Sequence, residues 1–190
     1  MSSNRMNKVY YLPFVPLSKV NYLDLFSLYD VAEYTADKKT FDTIRYSSIK
    51  ELAARVGLTT YAVNKLIENT DFLSVDKKSK VITLKNHFPK GEKAAFVRLT
   101  AAEVKLLREK KDNLFCKYLL YMKYYCGLSK DKRNNFTAKQ FLAACGYSTK
   151  SNKYISLLSD YNSCLVKNGI IRIIPFTDEL GHTRNTYFFI

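Results

Sequence analysis

The stretch from Tyr46 to Asn86, YSSIKELAARVGLTTYAVNKLIENTDFLSVDKKSKVITLKN, limits the fold more tightly than any other part of the chain. Ser47 or Ser48 is placed to cap a helix, and Glu51 stands where a capping box needs its second acceptor. Ile49, Leu52, Ala53 and Val56 form an apolar stripe at helical spacing. Gly57 fits the position where a left-handed residue stops a helix. Thr59 or Thr60 then caps a second helix, whose buried face is Ala62, Val63, Leu66 and Ile67. Helix, short glycine turn and helix make a helix-turn-helix. Residues 73–75 and 81–84 follow as short β-branched runs around Asp76-Lys77-Lys78-Ser79-Lys80, which predicts a hairpin with a basic tip, a wing.

With 190 residues the chain has room for two small domains, and 47% apolar content supports a packed core. No apolar run approaches a membrane span, and the N-terminus lacks the apolar segment of a secretory signal. Cys116, Cys126, Cys145 and Cys164 are widely spaced without a C-x-x-C pair, and only His87 and His182 are present to support them. Reduced thiols in a cytoplasmic protein are expected, with no metal and no cofactor. The 31 basic residues exceed the 17 acidic ones, for a net charge of +14. Such an excess favours a polyanionic partner and salt-sensitive association. A basic surface without a partner would have the same composition, so the motifs must decide.

In chain order, residues 1–7 form a polar tail. Residues 9–12 and 14–15 suit a strand that Pro13 and Pro16 confine to an edge or an arm. The arm lies on its own domain or packs on a second copy, in which case a homodimer forms. Residues 21–34 predict a helix with Tyr22, Leu25, Phe26, Tyr29 and Ala32 on one face, and residues 41–46 a short strand. The linker signals of residues 87–93 place a boundary there. Net charge is +5 up to Ala95 and +9 from Phe96 onward. Residues 95–99 predict a strand, and Thr100 with Glu103 a capping box. The apolar stripe from Val104 to Tyr125 is one that Asp112-Asn113 can split into two helices. Lys105, Arg108, Lys111, Lys117 and Lys123 fall mostly off that stripe, as a solvated outer face would. Gly127 ends the helix, and residues 129–135 are a polar, basic loop.

The helix-turn-helix then recurs. A shift of 89 places Lys50 on Lys139, Leu52 on Phe141, Ala54 on Ala143, Gly57 on Gly146 and Thr60 on Thr149. Ile155, Leu158, Tyr161 (or Asn162) and Leu165 continue the second helix to a stop at Asn168-Gly169. Residues 170–174 and 187–190 are strands around a loop with Asp178, Glu179, Gly181, His182 and Arg184, a second wing. The expected fold is therefore α+β, mainly helical with small β-hairpins. It comprises two tandem winged helix-turn-helix domains: residues 1–88 with an N-terminal arm, a linker at 89–95, and residues 96–190.

On the segments IKELAARVGLTTYAVNKLI and TAKQFLAACGYSTKSNKYI, within this tandem architecture, the chain resembles the replication initiators of plasmids and phages. The nearest patterns are the RepA-type DNA-binding domains and the N-terminal domain of DnaD-like primosome proteins. Transcription regulators share the same residues. The resemblance implies recognition of an origin, in company with replication proteins.

In a helix-turn-helix, the first residues of the second helix face base edges. That nominates Thr59, Thr60, Tyr61, Asn64 and Lys65 in the first unit, and Ser148, Thr149, Lys150, Ser151, Asn152 and Lys153 in the second. Asn can pair with adenine, Lys can donate to guanine, and Thr can touch a thymine methyl or a phosphate. Lys77, Lys78 and Lys80 at the first wing suit phosphate contact, although a charged tip also discourages aggregation. The second wing is less basic and would contact DNA through Arg184 or not at all. The 15 tyrosines and 12 phenylalanines fall mostly on apolar stripes, so they belong to cores rather than to base stacking. No phosphate loop, paired catalytic carboxylates or nucleophile elbow is present, so a non-enzymatic protein is expected. Its partner is double-stranded DNA and its role replication initiation for a mobile element. A transcription regulator, or a scaffold whose winged helices bind proteins, are the alternatives.

Overall fold

The computed structural model describes residues 10–14, 16–35, 40–68, 73–85 and 95–190. It is an α+β structure with seven helices and small antiparallel sheets among those residues. No helix among them is long and apolar enough to cross a membrane. The described residues divide into two units: one holds 10–14, 21–35, 40–68, 73–85 and 95–101, and the other holds 16–20 and 102–190. Residues 89–94 of the expected linker, and the polar tail of residues 1–7, lie outside the described residues.

The first unit starts with β1 (Tyr10–Phe14) and α1 (Tyr22–Asp30). Asn21 begins the helix by accepting from the Leu23 and Asp24 N–H groups at 3.1 and 3.2 Å. α1 ends four residues short of the expected Tyr34. Residues Glu33–Thr35 instead form β2, which pairs with β3 (Thr40–Arg45) through a register shift at Glu33/Tyr34. An Arg45–Glu33 ion pair at 3.3 Å joins the two strands. α2 (Ile49–Val56) and α3 (Thr60–Ile67) come next, then β4 (Leu73–Asp76), β5 (Val81–Leu84) and β6 (Ala95–Leu99). The sheet order is β2-β3-β5-β4, so the strand before α2 pairs with the second strand of the hairpin.

Leu25, Leu28, Ile44, Leu52, Val63, Leu73 and Ile82 are completely buried and form this unit's core. Each contributes roughly 1.5–3 kcal/mol relative to exposure. The Tyr29 hydroxyl donates to the Lys85 carbonyl at 2.9 Å and the Tyr22 hydroxyl to the Pro13 carbonyl at 3.1 Å, tying α1 to the end of β5 and to β1. β6 pairs antiparallel with β1, from Tyr10 opposite Leu99 to Phe14 opposite Ala95. The linker signals put residues 96–99 in the second domain; the pairing places that strand with the N-terminal one. Pro13 is tolerated because the sheet has only two strands, both of them edges.

The second unit contains α4 (Ala101–Lys110, whose first residue falls in the first unit), α5 (Asn113–Gly127), β7 (Arg133–Asn134), α6 (Ala138–Ala144), α7 (Asn152–Lys167), β8 (Ile171–Thr177) and β9 (Thr183–Phe189). The break between α4 and α5 follows from Lys111, which is left-handed at φ 49°, and from Asp112, whose carboxylate accepts from the Leu114 and Phe115 N–H groups. Residues 114–122 of α5 are all buried. Tyr118 sits edge-on to Phe136 and Phe141, and Phe115 edge-on to Tyr161. Two lysines expected on a solvated face are not there. Lys117 is buried with its ammonium 5.9 Å from the Tyr147 ring, and burial pushes its pKa down. Lys123 forms an ion pair with the buried Glu103. α5 is apolar around almost its whole circumference, so a lysine on it is enclosed wherever it points.

The sheet order here is β7-β9-β8. β7 is only two residues long and lies in the segment expected to be a loop, yet it pairs with β9 as β3 pairs with β5. The hairpin strands run seven residues each, longer than expected, and β8 continues through Pro175. Pro175 is accommodated because β8 is an edge strand.

Candidate nucleic-acid interface

The two helix–turn–helix segments follow one local design as far as the glycine turn. Ser48 accepts from the Glu51 N–H at 3.1 Å, and 89 residues later Thr137 accepts from the Gln140 N–H at 3.2 Å. Gln140 closes the capping box by accepting from the Thr137 N–H at 2.7 Å; Glu51 instead reaches the Ser47 N–H at 3.2 Å. Leu52, Ala53 and Val56 are buried, as are Phe141, Leu142 and Cys145. Gly57 and Gly146 are both left-handed, at φ 71° and 76°. The next N–H reaches back five residues in each, from Leu58 to the Ala53 carbonyl and from Tyr147 to the Leu142 carbonyl, both at 2.9 Å. Gly57→Ala and Gly146→Ala are expected to cost about 1–2 kcal/mol each, because a Cβ is strained at this φ. Urea unfolding of each variant measures this directly.

Beyond the glycine the designs part. α3 starts three residues after Gly57, with Thr59 accepting from the Ala62 N–H at 3.1 Å. α7 starts at Asn152, six residues after Gly146. Ser148, Thr149 and Lys150 therefore belong to a longer turn and not to the start of a helix, which corrects their sequence placement. Tyr147 packs on Tyr154 with ring centroids 4.9 Å apart, and the extra residues carry the chain around that pair. Ser151 takes the N-cap position without a side-chain bond, and Asn152 and Lys153 open the helix, exposed.

In α3, Thr60, Tyr61, Asn64 and Lys65 are all exposed. They span about 140° of the helix circumference, opposite the buried Val63 and Leu66. Their side chains have no partner among the described residues, and Tyr61 is 74% exposed. The hydroxyl of Thr59 is committed to the cap.

The β4–β5 hairpin is built to hold its loop. Asp76 accepts from the Lys78 and Ser79 N–H groups at 2.9 and 3.1 Å, and hydrogen bonds from Ser79 and then Lys78 hold its carboxyl below the usual range. Lys80 is left-handed at φ 55°. Its ammonium donates to the Ser47 carbonyl at 2.7 Å, and its own carbonyl accepts from the Tyr46 N–H. Lys80 thus pins the loop to the start of α2, while Lys77 and Lys78 remain exposed without a side-chain partner among the described residues. In the β8–β9 hairpin Arg184 is held by Asp178, Nε to Oδ2 at 2.6 Å. The His182 N–H, first, and then Arg184 lower the Asp178 pKa. Near its tip that hairpin offers no cation comparable to Lys77 and Lys78; Arg172, at its base, lies over the Phe188 ring.

Other chemistry is sparse. Among the described residues no group of three or more His, Cys, Asp or Glu stands together to hold a metal. Burial pushes the Cys126 thiol up to about 11 and the Cys145 thiol up to about 12, far from a reactive thiolate. Comparisons with protein-family models, curated proteins and solved structures found no match to this chain.

Proposed function

We propose that this is a sequence-specific, non-enzymatic, double-stranded DNA-binding protein built from two winged helix-turn-helix units, and that it initiates replication of a plasmid, phage or other mobile element. The observation that carries the reading is the α3 face: Thr60, Tyr61, Asn64 and Lys65 stand exposed, and unpartnered among the described residues, on the second helix of a glycine-turn pair. An amide, a hydroxyl and an ammonium on one short arc are the groups that read base edges in a major groove. Element order supports the same reading: in both units a strand, two helices and a hairpin follow one another, and that strand pairs with the hairpin's last, although the first unit adds β2 before it and the second has two helices, α4 and α5, ahead of it. The net charge of +14 supplies attraction to phosphate. Replication proteins are the further partners, and the cytoplasm the compartment, that this role implies.

The roles of the units are unequal. The first reads bases through α3 and positions phosphate with Lys77 and Lys78. The second contributes Lys150, Asn152 and Lys153, but Arg184 near the tip of its wing is neutralised by Asp178. Fluorescence anisotropy with a labelled duplex over a salt series tests this. Lys77→Ala with Lys78→Ala should flatten the slope of log affinity against log salt by about 0.9 for each phosphate that is no longer neutralised. An unchanged slope would remove the first wing from the interface.

A further inference from the structure

The second unit has a recess that the proposed duplex reading does not use. It holds about 310 Å³ between the start of α6, the middle of α7 and the first half of β9. Phe136 and Tyr187, stacked at 4.6 Å, line it together with Leu158. Ile155 is 38% exposed on its wall. Counted from the helix caps, Thr59 and Ser151, Ile155 corresponds to the completely buried Val63 of α3, so an apolar residue that is core in one unit is open in the other.

Apart from Ala138 and Arg184, whose guanidinium is held by Asp178, the rest of the lining is amide and hydroxyl. Asn162 uses Oδ1 to accept from the Tyr118 hydroxyl at 2.8 Å, and no partner for its Nδ2 exists among the described residues. Ser159 also lines the recess, with a hydroxyl unused among the described residues, and so do Asn135 and Asn185, with side-chain amides likewise unused. Asn135 is shared with two adjoining recesses, one running toward Ser129 and Arg133, the other toward Phe176 and Leu180.

We propose that this recess takes a nucleobase, from an unpaired DNA strand or from a free nucleotide. A base is a flat apolar body with donors and acceptors on its edge. The site matches it with apolar walls beside amides that can both donate and accept. The net charge of +9 from Phe96 onward attracts the phosphates, and the adjoining recess toward Ser129 and Arg133 leaves room for a neighbouring nucleotide, whereas the one toward Phe176 and Leu180 carries Asp178 and Glu179 and repels a phosphate. An initiator must hold unpaired DNA once a duplex opens, so the inference rests on the proposed function but on different residues.

The test uses the full chain, labelled single strands of dT, dA or dC about 15 nucleotides long, and a labelled duplex. Ser159→Phe fills the recess from an exposed position, and Asn162→Leu removes the amide at nearly constant size. Both should weaken single-strand binding about tenfold and leave duplex binding within about twofold. With that result, competition by excess free nucleotide assigns the occupant to the nucleotide, and no competition assigns it to the strand. Single-strand binding that neither variant changes overturns the proposal, as does wild-type protein that binds duplex but neither single strand nor free nucleotide. In both cases duplex recognition stands. Loss of duplex recognition with variant-sensitive single-strand binding would do the reverse.

Discussion

Lys123→Met is expected to destabilise the second unit by about 3–5 kcal/mol, because it removes the cation that faces a buried carboxylate. Glu103 is 2% exposed, and its carboxylate receives the Lys123 ammonium. That ammonium also lies 5.5 Å from the Phe189 ring, so one cation joins α4, α5 and β9. The reverse change, Glu103→Gln, should cost less. The Lys123 side chain is 19% exposed, and its long stem lets the charge reach water once released. A neutral amide and a thioether together remove both charges, so the double variant should recover part of the loss. Urea unfolding of the three variants measures the order. Equal costs for both single changes would mean that the pair is not held in a low-dielectric site.

Asn64→Ala, alone and with Lys65→Ala, is expected to reduce preference for the cognate duplex by about 1–3 kcal/mol for each bidentate pairing with a base that the change removes. That corresponds to roughly 5- to 150-fold in the ratio of specific to nonspecific affinity. Both residues are exposed and neither supports the core, so stability should stay within about 0.5 kcal/mol of the parent. The contrast with Lys77 and Lys78 is diagnostic. Removing a phosphate contact weakens all sequences alike, whereas removing a base contact weakens the right one. Anisotropy titrations with specific and scrambled duplexes separate the two. Equal weakening of both duplexes by Asn64→Ala would remove α3 from base readout.

What the sequence showed well was local. The cap at Ser48, glycines 57 and 146 in the left-handed region, and the Asp112 break all depend on a few adjacent residues. What it hid was either too short or too distant. β7 is two residues long and leaves no periodicity to detect. The pairing of β1 with β6 joins residues far apart in the chain, and neither strand advertises its partner. Lys117 and Lys123 looked solvated because a helical stripe shows one face of α5, while burial extends round the helix. At the interface, the exposed residues of α3 were legible from amphipathic spacing. The start of α7 was not. The shared register runs through Tyr147, and only the Tyr147–Tyr154 ring contact shows where the longer turn goes. Arg184 and Lys80 were candidate phosphate contacts by charge alone; Asp178 and the Ser47 carbonyl claim them. The recess had no sequence signal, since Ile155 fits a core stripe as well as an open wall.

Recovery of bound sequences from a random duplex pool, at moderate salt, tests the central claim most directly. The account predicts a defined enriched motif that disappears with Asn64→Ala and is retained, at lower affinity, with Lys77→Ala. Binding without enrichment that falls steeply as salt rises would mean that only net charge acts, and would contradict base reading by α3.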